Sequence, residues 1–117
     1  NNDQRPDYDY SDGVTFHIFE LDSEAAAWAA QLGRRHGLGR SLSEPETVLG
    51  PEDAAVLVTC RALATSDLPL VVELAKDASQ PVVRRMAKVI AAESAGRPLI
   101  VVTDDSSIGR AFLARSR

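Results

Sequence analysis

This chain of 117 residues has few of the side chains from which many common sites are built. Its single cysteine, Cys60, excludes an internal disulfide framework and a zinc site made of cysteines alone. Aromatic residues make up only 5% of the chain, which leaves few rings on which nucleic-acid bases could stack. No apolar run approaches the ~20 residues of a membrane-spanning helix, so we expect no membrane partner. The sequence also contains no phosphate-binding P-loop.

The residues that are present have the composition of a folded domain. Hydrophobic residues make up 44% of the chain and charged residues 26%, and the length is enough for one core of ordinary size. The formal net charge is −4, and residues 1–13 contribute −3 of it, because four aspartates oppose one arginine there. The remaining residues 14–117 therefore carry −1 (−4 less −3), which does not exclude a nucleic-acid partner.

These features predict two regions, an acidic flexible arm at residues 1–13 and a single domain at residues 14–117. The chain begins with Asn1 instead of Met, which is typical of a piece of a longer protein. No secretory signal is visible, and one lone cysteine is compatible with a reducing compartment. The expected location is therefore the cytoplasm.

Two segments have the pattern of strands. Residues 98–102 (PLIVV) form a continuous apolar run with three β-branched residues, which is typical of a strand that is covered on both faces. Residues 14–21 (VTFHIFEL) are rich in β-branched and aromatic residues and form the second candidate. Residues 70–75 (LVVELA) are too few to distinguish a buried strand from a turn of helix.

Four segments begin with signals for a helix N-terminus. These signals are Asp22 or Ser23, Pro51, Pro81, and the serines that follow Asp105. The order strand, helix, helix, helix, strand, helix predicts an α/β fold with a small, mainly parallel sheet covered by four or more helices in one layer-packed domain. With only two clear strands, the sheet must be small or completed by segments whose pattern is ambiguous.

Acidic residues stand at several of these junctions. Asp104 and Asp105 follow the strand at 98–102, Asp22 follows the first strand, and Glu52 lies in the first turn of a helix. If the two strands were parallel neighbours, their carboxylates would meet at one edge of the sheet and could bind a divalent cation. The alternative is that each residue caps a helix or faces its positive end.

Three stretches resemble the acidic motifs of PIN-domain ribonucleases. IVVTDDSSIGRAFLAR is similar to the late motif, in which a strand runs into T-D-D and an arginine-containing helix. LGPEDAAVLV resembles the acidic helix start in the middle of those domains, and FELDSEAAAW could stand for the early aspartate at a strand end.

The resemblance implies a divalent-metal-dependent nuclease that acts on RNA. Asp22, Glu52 and Asp104 would be catalytic and, together with Asp105, would bind magnesium or manganese, which activates water for phosphodiester cleavage. Ser106 and Arg110 would contact the substrate, with Arg110 on its phosphate. The same acidic residues also resemble the Toprim arrangement of primases and nucleases, which would hold a divalent metal at the same edge.

A hypothesis of a different class is a non-catalytic protein-interaction or regulatory domain, which binds a protein partner or forms a homo-oligomer and belongs to a larger protein. It is favoured by the lack of a strong catalytic motif. His17 and His36 have no partner at metal-binding spacing, and Cys60 falls on the apolar face of a helix. The sequence therefore leaves open whether the protein is an enzyme.

Overall fold

Cap and turn residues divide the chain into eight elements in the computed structural model, which describes residues 8–11, 14–17, 21–39, 50–65, 69–94 and 96–116. The α/β class and the four helices expected from the sequence are confirmed. In chain order the elements are β1 (Tyr8–Ser11), β2 (Val14–His17), α1 (Ser23–Arg35), α2 (Pro51–Thr65), β3 (Leu70–Leu74), α3 (Gln80–Glu93), β4 (Leu99–Thr103) and α4 (Ser106–Arg115).

The four strands form one sheet in the order β1-β2-β3-β4. β3 and β4 are parallel and pair Leu70 with Leu99 and Leu74 with Thr103, whereas β2 runs antiparallel to both of its neighbours. The sheet is therefore mixed, and the expectation of a mainly parallel sheet holds only for β3 and β4. The antiparallel pair β1–β2 follows from its short connection, because parallel neighbours need a long crossover.

Two of the strands come from segments that the sequence pattern did not identify as strands. Tyr8–Ser11 lie in the segment expected to be a flexible arm, but they pair with β2, so this part of the arm belongs to the sheet. The ambiguous segment at 70–75 supplies β3, which lies between β2 and β4 and is parallel to β4. β2 covers Val14–His17 of the first predicted strand, Leu21 lies outside any strand, and residues 18–20 lie outside the described residues.

The core lies between one face of the sheet and the helices. Alternate residues of β3 are buried on this face, and Phe16 of β2 is fully buried beside them. α2 lies between α1 and α3 and also contacts β1 and β2. The apolar stripe predicted for α3 is buried as expected and consists of Val82, Val83, Met86, Val89 and Ile90. No described helix has the length and apolar character to cross a membrane.

The prediction that the strand at 98–102 is covered on both faces is wrong. Leu99 and Val101 pack against the core, but Ile100 and Val102 on the other face remain 48% and 49% exposed. The reason is that the described helices pack on the core face, where α4 approaches β4 so closely that its Gly109 is buried.

This close approach gives a testable prediction. A Cβ atom at Gly109 would lie 3.0 Å from Cγ2 of Thr103 and 3.9 Å from Cγ1 of Val101. We therefore expect Gly109→Leu to lower the free energy of unfolding by about 1–3 kcal/mol, as overpacking does. Chemical denaturation measures the effect. The matched control is Ala111→Leu at an exposed position of the same helix, which should change stability by less than about 0.5 kcal/mol. An equal loss in both variants would contradict the packing.

Candidate functional site

Asp105 is held by the start of α4. Its Oδ1 accepts hydrogen bonds from the Ser107 hydroxyl at 2.6 Å, from the Ser107 backbone N–H at 3.0 Å and from the Ile108 backbone N–H at 3.4 Å. These bonds, that of the Ser107 hydroxyl above all, lower the pKa of Asp105 because they stabilise the ionised carboxylate. Its own backbone N–H donates to the hydroxyl of Thr103 at 3.1 Å. Asp105 is thus the N-cap of α4.

The other residues predicted at this strand end are exposed. Asp104 lies between β4 and α4, and its carboxylate has no hydrogen bond or ion pair with the rest of the described chain. Ser106 begins α4 and Arg110 lies one turn further along the helix, and both are exposed. The strand end therefore brings four of the predicted site residues into one short stretch of surface.

Asp22 is also a helix cap. Its Oδ1 accepts a hydrogen bond of 2.8 Å from the backbone N–H of Ala25, which makes it the N-cap of α1. It lines a surface pocket together with Ala64 and Thr65, which are the last two residues of α2. Asp22 therefore lies at the C-terminal end of α2.

Glu52 lies at the opposite end of α2. It forms an ion pair of 3.6 Å with Arg85 of α3, and Asp53 lies 4.0 Å from the same guanidinium. Arg85 also donates a hydrogen bond of 3.0 Å to the backbone oxygen of His36. One arginine thus joins the start of α2 to α3 and to the end of α1.

The structure does not bring the predicted ligands together. α2 has 15 residues and at 1.5 Å per residue is about 22 Å long, so Glu52 in its first turn lies about 20 Å from the end of α2 where Asp22 lies. Asp22 and Asp104 also lie at opposite ends of the strands. β2 runs antiparallel to β3, whereas β4, on the other side of β3, runs parallel to it. The expected convergence required parallel neighbouring strands, and β2 and β4 are neither parallel nor adjacent.

The potential metal-binding side chains of the described residues agree with this separation. No group of three or more His, Cys, Asp or Glu side chains within those residues is placed to bind a metal ion. At two of the four predicted metal ligands, Asp22 and Asp105, the carboxylate caps a helix, and at Glu52 it pairs with Arg85. The alternative that the sequence left open, capping and dipole complementarity, describes the three geometries.

A polar cluster that the sequence analysis missed joins α1 to α3. Glu93 is the last residue of α3. Its Oε1 accepts a hydrogen bond of 3.0 Å from Nη1 of Arg35, and its Oε2 lies 2.8 Å from Nε2 of His36. The side chains of His36 and Glu93 are only 15% and 12% exposed. Arg35 also lies over the ring of Trp28, 5.1 Å from its centroid. No local pattern could reveal the pair, because His36 and Glu93 are 57 positions apart.

Cys60 is not placed as a reactive thiol. It is fully buried in α2, and this burial, with a smaller contribution from the charge of Glu93, raises the pKa of its thiol to about 12. Since the thiolate is the reactive form, Cys60 acts as a small core side chain, as its position on an apolar helix face predicted.

The main feature of the described surface is the uncovered side of the sheet, which we call the open face: Val71, Glu73, Ile100 and Val102. The parallel register sets Val71 beside Ile100 and Glu73 beside Val102. Val71 and Glu73 are partly buried, and Ile100 and Val102 are exposed. A strand with one solvated face normally alternates apolar and polar residues, but β4 is apolar on both.

Comparison with known proteins gives no match to any family model, any curated protein or any solved structure. The resemblance to PIN-domain ribonucleases therefore stays a prediction from three short motifs.

The cap at Asp105 predicts a pH-dependent contribution to stability. Its pKa lies below the ordinary value of 3.8, so the contribution is present above that value and is lost as the pH falls through the lowered pKa. Asp105→Ala should therefore lower the Tm at neutral pH, and the difference from the unchanged protein should shrink in acid. Thermal unfolding followed by circular dichroism measures both. Asp104→Ala is the matched control and should leave the Tm unchanged, and equal effects of the two substitutions would contradict the cap.

Proposed function

We propose that this domain is a non-catalytic protein-interaction module that binds its partner through the open face. The observation that carries the proposal is the exposure of Ile100 and Val102 side by side on β4. Burying apolar surface stabilises a complex by roughly 25 cal/mol per Å², so two half-exposed β-branched side chains on a rigid strand favour association.

The use of the carboxylates also supports this proposal. Asp22 and Asp105 are engaged by helix N-termini, and Glu52 is engaged by Arg85. A carboxylate that accepts hydrogen bonds from a helix start stabilises the fold and has less of its oxygen surface available to a metal ion. The acidic helix starts therefore have a structural explanation that requires no catalysis.

Site-specific photocrosslinking tests the interaction. A photoreactive amino acid at position 102 should capture a protein, because this position points out of the open face. The matched control carries the same group at position 88, an exposed lysine position on α3. Mass spectrometry of the products compares the two positions. Similar capture at both, or capture at neither, would refute a role of the open face in protein binding.

The nuclease hypothesis makes a different prediction. If magnesium or manganese bound at Asp104 and Asp105 and supported RNA cleavage, Asp104→Asn would abolish both binding and cleavage. We expect instead that calorimetric titration with either metal gives no binding heat and that Asp104→Asn leaves any background cleavage unchanged. Asp77→Asn, at an exposed turn position, is the matched control. Metal-dependent cleavage that is lost in Asp104→Asn and kept in Asp77→Asn would overturn the proposed function.

A further inference from the structure

We propose that a second copy of this chain pairs along β4 in antiparallel orientation about a two-fold axis, so that Ile100 and Val102 of the open face contact their counterparts across the new strand pair. This inference rests on the proposed function and names its partner. In such a dimer the two sheets would join into one, and the open faces of both copies would be continuous.

The first argument is the edge of the sheet. Among the described strands β4 pairs only with β3, so it stands at one end of the sheet. Edge strands are usually protected from pairing by charged residues, proline or a bulge within the strand. The five residues Leu99–Thr103 contain no charge and no proline, and their pairing with β3 is regular throughout. Leu99–Thr103 therefore lacks the charge, proline and bulge that often prevent strand addition.

The second argument is self-complementarity. A two-fold axis at Val101 would set Ile100 of the first copy directly opposite Val102 of the second. The same axis would set Val102 of the first copy opposite Ile100 of the second. Directly opposite residues of an antiparallel pair lie on the same face, so the four side chains would form one apolar cluster on the joined open faces. Val71 of each copy would extend this cluster, because it is the neighbour of Ile100 across β3 and β4.

The third argument is charge complementarity at the ends of the strand. Arg97 precedes β4, and Asp104 and Asp105 follow it. Antiparallel pairing in this register brings the basic end of one strand to the acidic end of the other. Parallel pairing would instead place Asp104 beside Asp104 of the second copy, and like charges directly opposite are destabilising. The guanidinium of Arg97 also donates to the backbone oxygen of Leu63 in α2 at 3.2 Å.

Sedimentation equilibrium with charge-swapped variants tests this dimer. One variant carries Ile100→Lys with Val102→Lys, and the other carries Ile100→Glu with Val102→Glu. The unchanged protein should reach about twice the 12.6 kDa of one chain. Each variant alone should dimerise at least about 100-fold more weakly, because four like charges meet at the axis. An equal mixture should restore the dimer, since every introduced lysine then faces an introduced glutamate.

Two controls make the result specific. Lys88→Glu changes charge on an exposed part of α3 and should leave the dimer intact. Disulfide formation in a mixture of Ile100→Cys and Val102→Cys proteins checks the register, and it should link position 100 to position 102 more readily than either position to itself. The natural Cys60 is buried and does not compete. Recovery of the mixed dimer also shows that both charge variants are folded.

Each other outcome contradicts the inference in a recognisable way. A monomer at about 0.1 mM would overturn the dimer, and if position 102 then crosslinks to a different protein, the proposed function survives without it. A dimer that both charge variants retain would place self-association on another surface. A dimer that the variants lose but whose register favours links between identical positions would replace antiparallel strand pairing with another arrangement of the two copies.

Discussion

The burial of α2 between the sheet and two other helices is the constraint on which the rest of the structure depends. Its residues Ala55, Val56 and Cys60 are fully buried, and their small size lets neighbouring elements approach closely. Thr59 is also buried, and its hydroxyl donates to the backbone oxygen of Ala55 at 2.8 Å, so no polar group is left unsatisfied there. Because α2 supplies this shared core, α1 and α3 pack on either side of it, and Arg85 can tie its first turn to both.

The same layering explains why one side of the sheet stays uncovered. The described helices contribute their apolar stripes to a core on one face, and Phe112 of α4 completes it beside β4. Among the described residues, no further helix lies on the second face of this two-layer arrangement. Ile100 and Val102 then remain at the surface, because β4 has apolar residues on both of its faces. The exposed pair is thus a consequence of the architecture combined with a strand composition typical of a fully covered sheet.

Much of the fold is predictable from local signals, because caps, prolines and apolar periodicity act within a few residues. Pro51 and Pro81 lie in the first turns of α2 and α3 as expected, and Asp22 caps α1. β1 and β3 are harder to identify, because a polar segment and a short, mostly apolar segment that includes Glu73 become strands only when their neighbours supply hydrogen bonds. The candidate metal site was not predictable, because its ligands would come from separate elements and their convergence depends on strand direction.

Strand direction therefore decides between two readings of the same acidic residues. A carboxylate after a strand and before a helix has the same local sequence whether it caps that helix or contributes to a shared cation site. Local sequence cannot separate the two, since both place the carboxylate beside the positive end of the helix. Here β2 runs antiparallel to β3, so Asp22 lies at the opposite ends of the strands from Asp104, and α2 keeps Glu52 about 20 Å from its far end. With the carboxylates dispersed, the apolar open face supports the proposed binding better than the charges do.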